Sequence, residues 1–136
     1  MTRKATLTDI DAIKEIADKN RDSIGFLIRP AIEASISKSE CLVNITDDKI
    51  VGFVRYHIRK DGICKIYEIV ISKEYRRRGL GKSMIRSIKL SNRRLLPIEL
   101  KCPVDLDANI FYSSIDFKLI SIDRGKKRLL NTWQLI

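Results

Sequence analysis

The chain has 136 residues, of which 44% are hydrophobic, so it can bury a core, and we expect a single domain over residues 1–136. Its 27 Lys and Arg against 17 Asp and Glu give a formal charge of +10, which favours an anionic partner such as nucleic acid, an acidic membrane or a phosphorylated small molecule. No segment approaches the roughly 18 apolar residues of a membrane span, and the N-terminus has no apolar signal core, so we expect a cytoplasmic protein with no membrane partner.

The N-terminal third predicts one short strand and two helices. Residues 3–6 are typical of a strand, and Thr8 with Asp11 three residues later resembles a helix-capping pair. Apolar residues then recur at helical spacing over residues 9–19. Pro30 suits the first turn of the second helix.

From Cys41 the hydrophobic period changes from helical spacing to two. The segments CLVNI, IVGFVRYHI and ICKIYEIVI predict three antiparallel strands, with tight turns at Asp47-Asp48 and Asp61-Gly62. The third strand ends at Ile71 and is apolar on nearly both faces there. This pattern is typical of a central strand.

The C-terminal half continues with alternating helices and strands. After EYRRRGLGKS an amphipathic helix opens at Leu80, LPIELKC predicts a strand, DLDANIFYSSIDF a short helix, and FKLISI with RLLNTWQLI a last hairpin. The order is β-α-α-β-β-β-α-β-α-β-β. It predicts a mixed α/β fold with a largely antiparallel, twisted sheet of about seven strands flanked by about four helices.

The stretch EYRRRGLGKS predicts an anion-binding loop between a strand and a helix. Gly79 and Gly81 let the backbone approach a ligand, and a helix N-terminus exposes unpaired N–H groups that favour an anion. Three adjacent arginines repel one another, which favours a bound counter-anion over a solvated loop. The GKS ending is not a nucleotide-triphosphate loop, because Arg76 stands where the first glycine is required. Met84 likewise excludes the G-x-G-x-x-G dinucleotide pattern.

The pattern that fits is R-x-x-G-x-G at Arg76, Gly79 and Gly81, and it resembles the GNAT superfamily of acyl-CoA-dependent N-acetyltransferases. A second segment, ANIFYSSIDF, resembles the later motif of that family through Ala108, Tyr112 and Phe117, about thirty residues after the loop. Two departures stand out. Asp116 replaces the usual glycine before Phe117, and Asp105 replaces an asparagine that is common seven residues before Tyr112.

The resemblance implies acetyl-CoA as co-substrate, no metal, and transfer of an acetyl group to a primary amine of a small molecule or protein by direct attack in a ternary complex. It also implies that the backbone of Ile69, Val70 and Ile71 binds the pantetheine arm and acyl carbonyl, and that Asn109 contacts the cofactor. The CoA pyrophosphate would be held by Arg76, Arg77, Arg78, Gly79, Leu80, Gly81, Lys82 and Ser83.

We expect three catalytic candidates. Tyr112 is an uncharged donor at neutral pH, suits a general acid for the departing thiolate and would also contact the cofactor. Glu68 lies in an apolar strand, where we expect it to share a face with Ile66 and Val70, as suits a general base. Glu99 on the neighbouring strand competes for the base. Either carboxylate could instead pair with a nearby lysine.

Several alternatives stay open at this point. A basic nucleic-acid-binding module is one, because residues 76–94 carry eight basic residues and no acidic one, but no DNA-binding or RNA-binding motif is present, so we do not expect nucleic acid as a partner. A catalytically inactive acyl-CoA-binding domain is another.

Cys41, Cys64 and Cys102 are typical of small buried hydrophobes. A homodimer is possible, with Trp133 packing internally or across its interface.

Overall fold

The computed structural model describes residues 1–91 and 97–136. Five helices are present in this part of the chain: α1 Ile10–Asp18, α2 Arg21–Ile24, α3 Arg29–Ser37, α4 Leu80–Ser91 and α5 Ala108–Ser114. The strands are β1 Thr2–Lys4, β2 Cys41–Thr46, β3 Lys49–Ile58, β4 Cys64–Ile71, β5 Ile98–Pro103, β6 Lys118–Arg124 and β7 Leu129–Leu135. Arg93, Arg94 and Leu96, which belong to the basic run and to the start of a predicted strand, lie outside the described residues.

The strands form one seven-stranded sheet in the order β1-β2-β3-β4-β5-β7-β6. Every neighbouring pair is antiparallel except β4 and β5, which are parallel and are connected by α4. The mixed, largely antiparallel class and the order of the predicted elements are confirmed. The short helix α2 is an addition to the prediction.

Two apolar clusters cover the two faces of the sheet. One lies between the sheet and the helices α4 and α5, and it includes Met84, Ile88, Tyr112 and, on β7, Trp133. The other joins α1 and α3 to the opposite side through residues such as Ile13, Ile32 and Phe53. Because Trp133 is 8% exposed within the first cluster, it packs internally.

The start of the first helix differs from the prediction. A 3-10 turn over Leu7–Asp9 precedes α1, and Asp9 accepts hydrogen bonds from the Thr6 backbone N–H at 2.8 Å and from the Arg3 guanidinium at 2.7 Å. The capping pair is therefore Thr6 with Asp9, two residues before the predicted Thr8 and Asp11. Because the Asp9 carboxylate also pairs with Arg3 on β1, the cap formed by Thr6 and Asp9 is favoured over one formed by Thr8 and Asp11.

The turns agree with the predicted hairpins. Asp47 and Asp48 both have positive φ, at 53° and 60°, which is the backbone form that joins two antiparallel strands most tightly. Gly62, at φ 93°, supplies the positive φ in the β3–β4 turn.

Among the described residues, none of the helices has the length and apolar character needed to cross a lipid bilayer.

Candidate active site

The parallel strands β4 and β5 separate part of the way along their length. Only two Cα pairs join them, Cys64 with Ile98 and Lys65 with Glu99, although β4 continues to Ile71. Strand β5 turns instead to β7 and pairs with it along its whole length. A wedge therefore opens between the C-terminal halves of β4 and β5, and the backbone groups of β4 that point into it lack a strand partner.

A β-bulge in β4 lies beside this wedge. Arg55 of β3 pairs with Glu68, but the next residue, Tyr56, pairs with Ile66, so Tyr67 is the extra residue. Before the bulge, Ile66 faces α4 and α5; after it, Glu68 and Val70 face α1 and α3. The expectation that Glu68 shares a face with Ile66 is therefore wrong, because the extra residue reverses the alternation.

Glu68 is held by an arginine that sequence reasoning missed. The Arg55 guanidinium donates to both carboxylate oxygens of Glu68, at 2.8 and 3.0 Å. It also donates to Ser35 Oγ at 3.0 Å on α3, and it stacks 4.8 Å from the Tyr67 ring. Both partners of this ion pair are largely buried, with side chains 14% and 12% exposed. Glu68 is thus part of a buried polar network and not a carboxylate among apolar groups.

Glu99 lies where the wedge begins. Its neighbours Ile98 and Leu100 are buried against α4 and α5, so the Glu99 side chain points to the opposite face of the sheet. The side chain is half-buried, and no described residue forms a hydrogen bond or ion pair with its carboxylate. Its cross-strand neighbour Lys65 makes no such pair. Of the two predicted base candidates, Glu99 has the free carboxylate.

The glycine-arginine loop presents a run of unpaired backbone donors. Within the described chain, no group accepts a hydrogen bond from the backbone N–H groups of residues 77–82, and the first helical bond is donated by Ser83 to Gly79 at 3.0 Å. Arg77 and Gly79 have positive φ values of 64° and 77°. Successive N–H groups around such residues form a concave site that suits an anion, and the N-terminus of α4 adds its dipole.

The three arginines of the loop have different surroundings. Arg76 donates to Ile71 O at 2.9 Å and to Asn20 Oδ1 at 2.7 Å, so it ties the loop to the end of β4 and to the segment after α1. Arg78 lies 4.9 Å from the centre of the Tyr75 ring. Arg77, like Lys82 and Ser83, is exposed. Charge is therefore available around the N–H groups, while Arg76 shapes the loop.

The two glycines of the motif serve different purposes. A Cβ on Gly79 would meet nothing within 4 Å, but its φ of +77° disfavours other residues. Gly81 is buried in the first turn of α4, where a Cβ would lie 2.9 Å from the tip of the Phe111 ring. The absence of a side chain at Gly81 thus lets α4 pack closely on α5. Of the two glycines expected to let a ligand approach the backbone, only Gly79 has open space where a side chain would lie.

Tyr112 of α5 lies on the same side of the sheet as this loop. It is 8% exposed, and its ring contacts Phe111, Phe117 and Trp133, with centroids 5.4, 5.8 and 6.5 Å away. Burial, reinforced by the neighbouring Cys102 thiol, raises the pKa of the Tyr112 phenol well above its ordinary value. The phenol therefore stays protonated and remains a donor at physiological pH.

The Asn109 side chain, which we expected to contact the cofactor, is engaged by protein groups at both its nitrogen and its oxygen. Its side-chain nitrogen donates to the carbonyls of Pro103 at 2.9 Å and Leu106 at 2.7 Å, which uses both hydrogens. Its Oδ1 accepts from Asn131 Nδ2 at 3.0 Å and Trp133 Nε1 at 2.9 Å. Asn109 thus links the segment before α5 to β7, and its contact with the cofactor stays a prediction.

The two departures from the family pattern have structural explanations. Asp116 has a φ of 74°, the left-handed form that glycine adopts most easily and that aspartate tolerates better than most residues. Asp105 accepts a hydrogen bond from Arg128 at 3.1 Å, in an exposed ion pair. Asp116 therefore fits a position where the family has glycine, and Asp105 is accommodated as the partner of Arg128.

The three cysteine thiols and the His57 imidazole complete the set of groups with potential chemistry in the described residues. Cys41, Cys64 and Cys102 are free and buried, and burial raises the pKa of Cys41 and of Cys64 to about 12, so these thiols stay protonated. His57 Nδ1 lies 2.9 Å from a Glu40 oxygen, at the far end of β3. The described residues contain no group of His, Cys, Asp or Glu arranged to hold a metal ion.

Residues 37–119, more than half of the chain, match the family of the Acetyltransferase (GNAT) domain. The chain therefore belongs to the GNAT acetyltransferase family, and the resemblance inferred from the two motifs is confirmed. The protein is an acetyltransferase of the class that uses CoA thioesters, with α4 and its preceding loop inside the matched region.

Solved acetyltransferase structures share the fold over almost the whole chain. Ard1 from Thermoplasma volcanium has a TM-score of 0.85 at 17% identity, covering 99% of this chain and 95% of that one. The Escherichia coli ribosomal-protein-S18-alanine N-acetyltransferase has a TM-score of 0.81 at 17% identity, covering 99% and 92%. N-acetylglutamate synthase from Neisseria gonorrhoeae, complexed with coenzyme A and N-acetyl-glutamate, has a TM-score of 0.82 at 15% identity, covering 100% and 35%.

Proposed function

We propose that residues 1–136 form a single domain that transfers an acetyl group from acetyl-CoA to a primary amine by direct attack in a ternary complex. The observation that carries this proposal is the run of unpaired N–H groups at residues 77–82, directly after a central strand that has separated from its neighbour. A pyrophosphate matches the run, and the wedge is open to an extended pantetheine arm beside Ile69, Val70 and Ile71.

The proposed acid and base lie on opposite faces of the sheet. Tyr112 belongs to the cluster on the α4 and α5 side, whereas Glu99 points to the α1 and α3 side at the start of the wedge. An amine entering from the Glu99 side could lose a proton there while attacking a thioester held in the wedge. Tyr112 would donate to the departing thiolate from the other side.

We favour Glu99 over Glu68 as the base. Both oxygens of Glu68 already accept hydrogen bonds from Arg55, so proton transfer to Glu68 would require this ion pair to break. The role proposed for Glu68 is to hold Arg55 and, through it, the bulge that creates the bend in β4. A buried ion pair of this kind specifies geometry more than it adds stability.

The acceptor class is left to experiment, because the structurally similar enzymes differ in it. One is named for a protein alanine and another was solved with N-acetyl-glutamate. On this chain, a groove of about 280 Å³ next to Tyr67 and Arg55 opens on the proposed acceptor side, between α3 and the β3–β4 pair. It extends the surface that an acceptor could contact.

The test combines a binding titration with an activity screen. Acetyl-CoA is titrated while the melting temperature is followed, and then thiol release is measured with a panel of polyamines, aminoglycosides, free amino acids and peptides with free N-termini. We expect stabilisation by acetyl-CoA and thiol release with at least one acceptor class. Stabilisation without release for any acceptor would favour an inactive acyl-CoA-binding domain, and no stabilisation would overturn the proposal.

A further inference from the structure

The positive charge of the protein is concentrated in one segment. Residues 1–40, which include α1, α2 and α3, contain seven Lys and Arg against seven Asp and Glu, so their net charge is zero. Residues 73–91, which form the loop and α4, contain seven Lys and Arg against a single Glu, a net charge of +6. More than half of the total charge of +10 thus lies on this loop and helix.

The ion pairs follow the opposite distribution. The nine pairs found among the described residues include five within the first 40 residues and none within residues 73–91. Most cations of the first 40 residues are therefore paired with carboxylates, whereas the exposed cations of α4 form no ion pair with any described residue. Unneutralised clusters of this kind attract polyanions.

The cations of α4 form one face of the helix. Lys82, Arg86 and Lys89 are exposed at i, i+4 and i+7, whereas Met84 and Ile88 are buried against the sheet. We call these three outward side chains the α4 basic face. At a rise of 1.5 Å per residue, Arg86 and Lys89 lie about 6 and 10 Å beyond Lys82, away from the loop that would hold the CoA pyrophosphate.

We propose that the α4 basic face docks the phosphate backbone of a nucleic acid. Contacts to phosphates need charge and hydrogen-bond donors and no base-reading motif, so the absence of such a motif from the sequence does not exclude them. The inference does not rest on acetyl transfer, because the surface would bind whether or not the wedge is catalytic.

The surface favours nucleic acid over an anionic membrane. The exposed residues of α4 include one apolar side chain, Leu90, and no aromatic one. A helix that inserts into a lipid interface presents a broad apolar face with Trp, Phe or Leu, and here the apolar face of α4 is buried in the core.

The test compares two charge-matched double variants. Arg86→Gln with Lys89→Gln removes two cations from the α4 basic face at positions outside the proposed cofactor loop, and glutamine keeps a good helix propensity. Lys19→Gln with Arg29→Gln removes two exposed cations from the α1 and α3 side. Binding of labelled mixed-sequence DNA and RNA duplexes is followed by fluorescence anisotropy between about 50 and 200 mM salt.

We expect the α4 variant to lose affinity by about 10- to 100-fold near 100 mM salt and to lower the slope of log K against log salt by about two. The control variant should bind like the original chain, and all three proteins should keep the same acetyl-CoA affinity. Equal losses in both variants, no binding at about 50 mM salt, full displacement by saturating acetyl-CoA, or binding only to phosphatidylserine vesicles would each overturn the proposal.

Discussion

The Tyr112 hydroxyl is the polar end of a side chain that otherwise packs among aromatic rings. Because burial raises its pKa, the phenol does not ionise near neutral pH, and a rate that depends on it should not fall at moderately alkaline pH for this reason. Such a group is suited to donate a hydrogen bond or proton to a thiolate as it leaves.

Replacing Tyr112 by Phe should lower kcat by about 10- to 100-fold while leaving the Kd for acetyl-CoA nearly unchanged, since the ring still packs in the same site. Steady-state kinetics and a binding titration measure the two effects. Tyr56→Phe is the matched control, because its hydroxyl is also internal and contacts Lys4 at 3.2 Å and Ser39 O at 3.3 Å. Equal kcat losses in both variants would remove Tyr112 from the mechanism.

The two glutamates beside the wedge should respond differently to the same substitution. Glu99→Gln should lower kcat by about 100-fold and remove the rise of the rate with increasing pH, because it removes the proposed proton acceptor. Glu68→Gln should lower the free energy of unfolding by about 2–4 kcal/mol, because it weakens a buried ion pair and leaves Arg55 short of partners.

The pH dependence of the rate and urea unfolding together separate the two roles. A Glu68→Gln protein with normal stability and no alkaline rise would show that Glu68 is the base after all. A Glu99→Gln protein that keeps the full alkaline rise would show that Glu99 is not the base.

At the scale of the element, the loop between β4 and α4 stores conformational strain next to its free donors. Arg77 and Gly79 both have positive φ, which costs a non-glycine residue about 1 kcal/mol or more. The side chain of Arg76 holds this conformation by joining Ile71 and Asn20. The site is therefore formed before a ligand arrives, which lowers the entropy lost on binding.

Gly79→Ala should weaken acetyl-CoA binding by about tenfold or more, because a Cβ there meets no protein atom and would contact only a ligand at the N–H groups. Gly25→Ala is the matched control, since Gly25 also has a φ of +77° and nothing within 4 Å. Both variants should lose about 1–2 kcal/mol of stability. If isothermal titration shows the same Kd for both, the loop does not bind the pyrophosphate.

At the scale of the whole molecule, one sheet connects two separate apolar clusters. Cys41 is buried in the cluster beneath α1 and α3, and Trp133 in the cluster beneath α4 and α5. Strands β2, β3 and β4 contribute side chains to both clusters. Unfolding of one cluster therefore disrupts strands that also form the other. This sharing supports the proposal of a single folding unit.

Urea unfolding should therefore show one midpoint for both clusters. The fluorescence of Trp133 follows one cluster, and peptide-resolved labelling of the Cys41 thiol follows the other, since that thiol is buried and reacts only after opening. Saturating acetyl-CoA should raise both midpoints equally by mass action. Midpoints that differ, or that acetyl-CoA shifts separately, would show two units that unfold independently.

Residue patterns were enough to predict the features that depend on neighbouring residues. Hydrophobic period, turn residues and the spacing of Arg76, Gly79, Gly81 and Tyr112 predicted the element order and the family, because strand alternation, helix faces and turn chemistry are local properties. The bulge also left a local trace, since the apolar spacing of Ile66 and Ile69 is three instead of two. That trace shows an irregularity without revealing its consequence.

The surroundings of the site residues depend on tertiary contacts. The partner of Glu68 lies on β3, and the partners of Asn109 lie on β7 and at Pro103 and Leu106. The wedge exists because β5 pairs with β7 instead of following β4. The contact of Glu68 with Arg55 joins residues 13 positions apart, and that of Asn109 with Trp133 joins residues 24 positions apart. Local pattern contains no information on which distant group satisfies a carboxylate or an amide, because that choice depends on strand register and packing.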